Sequence, residues 1–360
     1  MKSFQRIPAI SLTLAALLIA IVGCSSESKS DDHGLVAEVV DSVAAAVADN
    51  LAEIRTAQAA SLERDDIRAA AMPVVGPPAP VTGMFDMNDM MVAGGKIYSV
   101  FDGGVVVYDL ATKSQATIPI QENLQAVAEH QGTVYVGGDY LYVVGDGAVR
   151  RLDYEFEGVI QCLEGHDNAL MIGTTAGLYS HSRLGREQLL QGIPVTALAS
   201  ESAALWVGTD GQGLYRWDGD EFRRRFLVRD ETLFDSVLAL DFAHDHLYVG
   251  SKNGLHVYNG GRWDNYGPDD GLPEGRLNSI DASAWVVYIG TETGVVSFYN
   301  GVLEPVEKLD TIAAQAVRSL SRQVLVATDR EGILVKSGRM VRTLVAPEVD
   351  AGEEMVTLSQ

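Results

Sequence analysis

Seven short segments of this chain are variants of one another. Aligned on a central small residue they read IYSVFDGGVVVYD, VYVGGDYLYVVGD, LMIGTTAGLYSHS, LWVGTDGQGLYRWD, LYVGSKNGLHVYN, VYIGTETGVVSFYN and VLVATDREGILVKS. Val100, Gly137, Gly173, Gly208, Gly250, Gly290 and Ala327 hold the shared position, 35 to 42 residues apart. An apolar run such as VTALAS or VLALDF precedes each segment, and a more polar run such as EFRRRFL or RWDNYG follows it. Four short strands joined by tight turns, recurring about every 40 residues, are the signature of a β-propeller. A solenoid would not supply four strands and hairpin turns in each period. The expected fold class is therefore all-β: a seven-bladed β-propeller of four-stranded blades over residues 86–346. Leu205, Val207, Leu214 and Tyr215 are expected between blades, with Arg223 and Arg225 on the solvated outermost strand.

The glycines of this pattern decide one early question. Gly208–Gly213 could be read as a phosphate cradle, but such a loop must open a helix whose N-terminus faces the anion. Here LYRW follows, a strand pattern, and no lysine stands at the required spacing. The segment reads as a hairpin turn whose glycines supply positive φ.

Ahead of the repeats the chain has a different character. Lys2 and Arg6 precede an apolar run, Ile7 to Val22, too short to span a bilayer as a helix and ending in Ile21-Val22-Gly23-Cys24. This resembles the lipobox of bacterial lipoproteins, which implies cleavage after residue 23 and lipidation of Cys24. Ser25 after the cysteine, rather than Asp, points in that pattern to the outer membrane. The expected organisation is a signal peptide (1–23), a tether (24–34), an amphipathic helix (35–71), a proline-rich linker (72–85), the propeller and an acidic tail (347–360). The helix stripe Val36, Val40, Val43, Val47, Leu51, Ile54 and Leu62 packs on its own domain or pairs with another copy or a partner. Its scarcity of charges favours the first. The tail either crosses the ring's seam or hangs loose.

Composition limits the partners. The chain carries 27 basic and 49 acidic residues, a net charge of −22, so it repels nucleic-acid backbones and anionic lipid. The membrane is expected to be met through the lipid anchor only. With Cys24 acylated, Cys162 has no partner for a disulfide and reads as a small buried hydrophobe in VIQCLEG.

The repeat unit LWVGTDGQGLYRWDGDEF, together with NYGPDDGLPEGRLNSI at 265–280, resembles the two-component-regulator propeller repeat family. The likeness is strong in the fourth and fifth units, fair in the third and sixth, and degenerate in the rest. It implies a seven-bladed propeller, commonly a periplasmic sensor module ahead of a histidine kinase. Trp217-Asp218 is not a WD-repeat signature, because no Gly-His pair precedes it.

No catalytic motif is legible. His244 and His246 could offer two imidazoles to a metal, but no third ligand can be placed and a polar hairpin is the better reading. Asp269 and Asp270 read as a capped turn rather than a calcium site. The expected binding residues lie on the turns of one propeller face: Asp102, Asp139, Thr174, Asp210, Lys252, Glu292 and Asp329, joined by Trp263, Tyr266, Asp269 and Asp270 from the longer fifth unit. Five acids in a ring of seven suit a basic peptide, a cation or a polar glycan. The leading expectation is a non-catalytic envelope lipoprotein, without cofactor, that binds a protein or glycan partner or scaffolds an assembly. The alternatives are an orphan ligand-sensing propeller that signals through a separate partner, and a lyase or glycan hydrolase using the central channel.

Overall fold

The computed structural model describes residues 87–145, 147–225 and 236–345. Seven antiparallel sheets follow one another along the chain, each built from consecutive strands in simple order. This is the seven-bladed, four-stranded propeller expected. The segments expected as signal peptide, tether, helix, linker and tail, Cys24 among them, lie outside the described residues.

Blade 4 shows the unit: Val195–Glu201 innermost, then Ala204–Thr209, Leu214–Trp217 and Phe222–Arg225. Strand order follows burial. The second strand is buried throughout, whereas Arg223, Arg224 and Arg225 in the fourth are exposed. LYRW is a strand here, so the turn before it is a hairpin, as its sequence implied. Blade 1 differs in having three elements, Met87–Ala93, Lys96–Asp109 and Gln115–Asn123. The first half of its long middle strand pairs with the first strand and the second half with the third, so one element serves as two.

The core is seven interfaces, not one centre. Each apolar cluster takes residues from two adjacent blades: Leu205 and Val207 of blade 4 pack on Met171 and Leu178 of blade 3, and Trp206 and Leu214 pack on Val237 and Val249 of blade 5. The seventh cluster closes the circle, with Met87, Met90 and Phe101 of blade 1 against Leu325, Ile333 and Val345 of blade 7. No strand crosses this seam among the described residues. Blade 7 is complete within Ala316–Leu320, Gln323–Ala327, Ile333–Ser337 and Met340–Val345. Packing, the Met87 N–H to Thr328 carbonyl bond (3.2 Å) and the Arg318–Asp89 ion pair (3.4 Å) hold it shut.

Candidate functional site

The turn between the second and third strands is rebuilt in blade after blade by one device. The residue after the anchor (a glycine, or Ala327 in the seventh unit) is Thr174, Thr209, Ser251, Thr291 or Thr328, each essentially fully buried. Its hydroxyl donates to the carbonyl of the glycine that opens the third strand, at 2.6 Å for Thr209–Gly213, 2.8 Å for Thr291–Gly294 and 2.9 Å for Thr328–Gly332. The hydroxyl also accepts backbone N–H groups of the turn, as from Ala176 to Thr174 and Gly294 to Thr291. Thr174 is thereby corrected as a binding residue: its side chain is interior and its hydroxyl is spent on Glu157 and Gly177 carbonyls. The glycines also divide by role. Gly211 and Gly213 do adopt positive φ, 86° and 78°. Gly208 does not; a Cβ there would stand 2.5 Å from Cγ1 of Val237 in the next blade, so it is small to let the blades approach.

Turns between second and third strands, and the connections between blades, emerge on one face of the ring. There Asp102, Asp139, Asp210, Lys252, Asp269, Asp270 and Glu292 are exposed, and Asp329 is half-buried. Asp102 accepts a bond from Asn88 (2.9 Å), Asp210 one from Ser236, Glu292 one from the Arg276 N–H (3.2 Å) and Asp270 one from the Gly267 N–H (2.9 Å). Asp269 and Asp270 sit on a 3-10 turn, Pro268–Asp270. Trp263 and Tyr266 lie on the outermost strand of blade 5, not on the turns. Trp263 stacks on Tyr258 (4.7 Å between centroids), and Tyr266 meets Phe298 edge-on (4.9 Å). Both are half-buried in blade packing.

The opposite face, with the first–second and third–fourth turns, carries every strongly exposed large apolar side chain among the described residues: Leu184, Trp285, Tyr299, Val302 and Met340. His244 and Asp245 form a turn with both residues at positive φ, and the His244 ring stacks on Trp285 at 5.0 Å. His246 turns back to the His244 carbonyl (2.7 Å), so the two imidazoles serve a hairpin. Among the described residues no three His, Cys, Asp or Glu side chains converge to hold a metal ion.

The innermost strands hold a constellation that sequence reasoning missed. Asp89, Glu164, Asp241, Asp281 and Arg318 lie on the first strands of blades 1, 3, 5, 6 and 7. Inner strands present an unpaired edge, and these carboxylates satisfy it across blades. Asp89 accepts the Val127 N–H (3.1 Å), Asp241 the Ala282 N–H (2.7 Å), Asp281 the Ser319 N–H and Glu164 the Ser200 N–H. Bulges on the first strands of blades 1, 4 and 6 aim Asn88, Thr196 and Asn278 at carbonyls at the start of the following blade (2.7, 2.6 and 3.0 Å). Burial, reinforced by Asp241, pushes the Glu164 carboxyl up to about 8, and burial likewise raises Asp89 and Asp241, while Arg318 opposes all three. Burial raises the Cys162 thiol too, and its Sγ lies 3.8 Å from the Val195 carbonyl. The signal was available: a single acid inside each of the apolar runs CLEG, ALDF and SIDA.

One arrangement has the outline of a nucleophile, base and orienting group. Ser251 Oγ lies 2.9 Å from His256 Nε2, and His256 Nδ1 lies 2.7 Å from Asn265 Oδ1. Ser251 is fully buried and occupies the turn-lock position, so no substrate carbonyl can reach its hydroxyl.

No family model matches the chain, and no curated protein matches it. Solved structures do. It is similar to the extracellular domain of the putative hybrid two component system BT3049 from B. thetaiotaomicron, with 14% identity and a TM-score of 0.60 over 71% of this chain and 39% of that one. The corresponding domain of BT4673 from the same organism gives 19% identity and a TM-score of 0.53, covering 62% and 33%. The WD40 beta propeller domain of Doa1 gives 17% and 0.58, covering 71% and 94%. This chain thus spans well under half the length of the two bacterial chains. At these identities the likeness is one of fold, and the class is that of the seven-bladed β-propellers.

Proposed function

We propose that this chain is a non-catalytic recognition module of the bacterial cell envelope, lipid-anchored through Cys24 at the outer membrane, whose acidic turn face binds a basic protein partner. The observation that carries the reading is the row of exposed carboxylates on that face, Asp102, Asp139, Asp210, Asp269, Asp270 and Glu292, on a chain of net charge −22. Such a face steers a cationic surface and disfavours anionic ones. The channel acids support a scaffold rather than an enzyme, since each is committed to a backbone N–H of the neighbouring blade. The test is crosslinking in intact cells, with recovery of what is attached to the wild type and to a variant with Asp102, Asp210 and Asp329 all changed to Lys. Loss of a stoichiometric protein partner in the variant is expected; its undiminished capture overturns the reading.

A second reading is a sensing propeller that passes its signal to a separate protein. It draws on the fold shared with extracellular domains of putative hybrid two-component systems. It would show a small ligand, and no stable stoichiometric partner, in the same experiment.

A further inference from the structure

Blade 1 is longer than the blade it faces. Its outermost strand runs 9 residues, whereas the outermost strand of blade 2, Val149–Arg151, has 3 and the strand inside it, Leu141–Val144, has 4. Part of the blade 1 sheet therefore overhangs the shorter neighbour. The result is a cleft of about 310 Å³ on the side of the third–fourth turns, away from the acidic face. Its volume is at the lower end of small-molecule sites. Gly145 and Gly147, in the turn of blade 2, form its far side and put no side chain into it.

Register arranges the wall in rows. Val107 pairs with Ala116, and Val105, one rung further in, pairs with Ile118. Tyr98 and Lys96 line the same cleft as Val107. The Leu110 N–H donates to the Gly95 carbonyl (3.0 Å), which brings Asp109 beside Lys96 at the open end. Among the described residues, the cleft thus has an apolar floor and one charge of each sign at its rim.

The two charges act on each other without forming an ion pair. No ion pair or hydrogen bond joins the Lys96 ammonium to any described residue, and the Tyr98 hydroxyl makes no hydrogen bond to one either. Asp109 is fixed in place: its Oδ1 accepts the Ala111 (2.9 Å) and Thr112 (2.8 Å) N–H groups. The Thr112 N–H, with Lys96 contributing, holds its carboxyl below the usual range, so it is anionic at neutral pH. Lys96 is half-buried, with Asp109 as its electrostatic neighbour and no ion pair between them.

We propose that this cleft binds a small zwitterion of the amino-acid type: its carboxylate meets Lys96 and Tyr98, its ammonium meets Asp109, and its apolar side chain lies on Val107, Ala116 and Ile118. A simple anion would enter against the net charge of the chain, and a simple cation would leave the lysine unanswered. A zwitterion satisfies both ends without net repulsion. The inference is independent of the acidic face and of any protein partner bound there.

The test is calorimetric titration of the full chain with L-alanine, L-valine, L-leucine, L-isoleucine and L-methionine, each up to about 10 mM. At least one should bind saturably and one-to-one, with a Kd at or below about 1 mM. Its N-acetyl and methyl-ester derivatives, each lacking one charge, should bind at least tenfold more weakly. Lys96→Met should cost at least tenfold, and Ala116→Trp, which fills the floor from an exposed position, should abolish binding; unchanged thermal unfolding certifies both variants as folded. The triple Lys variant of the acidic face should bind as the wild type does. Absence of binding by all five, or equal affinity for the blocked derivatives, overturns the proposal, as does wild-type affinity in either Lys96→Met or Ala116→Trp.

Discussion

Glu164 is a carboxylic acid on an apolar strand, and its proton is worth following. Its pKa is about 8 when folded and near 4.5 when the chain is unfolded. The folded state therefore binds the proton more tightly between these values. Its contribution to stability is complete below about pH 4.5 and is lost as pH rises toward 8. Glu164→Gln should raise Tm by a few degrees at pH 8.5 and change it little at pH 5, measured by calorimetry. Arg318 acts in the opposite sense on the same group, and on Asp89 and Asp241. Arg318→Met should destabilise by about 1–3 kcal/mol above pH 8 and less at pH 5, where the Glu164 carboxyl carries its proton. Equal losses at the two pH values would show that Arg318 serves packing alone. The acids at these positions were visible in the sequence as interruptions of apolar runs. That they meet across the ring was not, because 229 residues separate Asp89 from Arg318.

The element that repeats is the turn lock, and its two halves answer to different forces. The buried hydroxyl closes the turn within a blade, while the anchor glycine lets the next blade approach. Thr291→Val keeps the shape and removes the hydroxyl that serves the Gly294 carbonyl and N–H. It should cost about 1–3 kcal/mol, read from urea unfolding. Gly208→Ala should cost a similar amount, about 1–3 kcal/mol, through overpacking against Val237. It should do so although the φ of Gly208 suits any residue. The motif itself, VGT or IGT or VAT, is plain in the sequence, and hairpin turns follow from it directly. Which member of the turn reaches solvent is not plain. A shift of one residue separates buried Thr174 from its exposed neighbour Thr175, and repeat alignment alone cannot resolve so small a step.

At the scale of the whole ring, seven equivalent interfaces share the apolar burial, and the seam is one of them. A propeller closed by packing rather than by a shared strand depends on both end blades being complete. Met87→Asp would place a charge in the closing cluster and should unfold the molecule at 37 °C, seen as loss of the cooperative transition. Self-repulsion acts on the same scale. With a net charge of −22, the Tm should rise by several degrees between about 10 mM and 0.5 M salt, as screening shortens the range of repulsion.

What the sequence determined by itself was the periodic part: seven units, four strands in each, hairpin turns at the glycines and an acidic surface. Hydrophobic alternation and turn chemistry are local, so a one-dimensional reading recovers them. The three-dimensional part was decided only when the blades closed on each other. Closure set the acids of the inner strands against the next blade's backbone and Arg318 against Asp89. It also separated the acidic turns from the exposed apolar ones onto opposite faces, and it opened a cleft where a long blade overhangs a short one. Each of these depends on residues that meet across the ring, and no spacing along the chain encodes such a meeting.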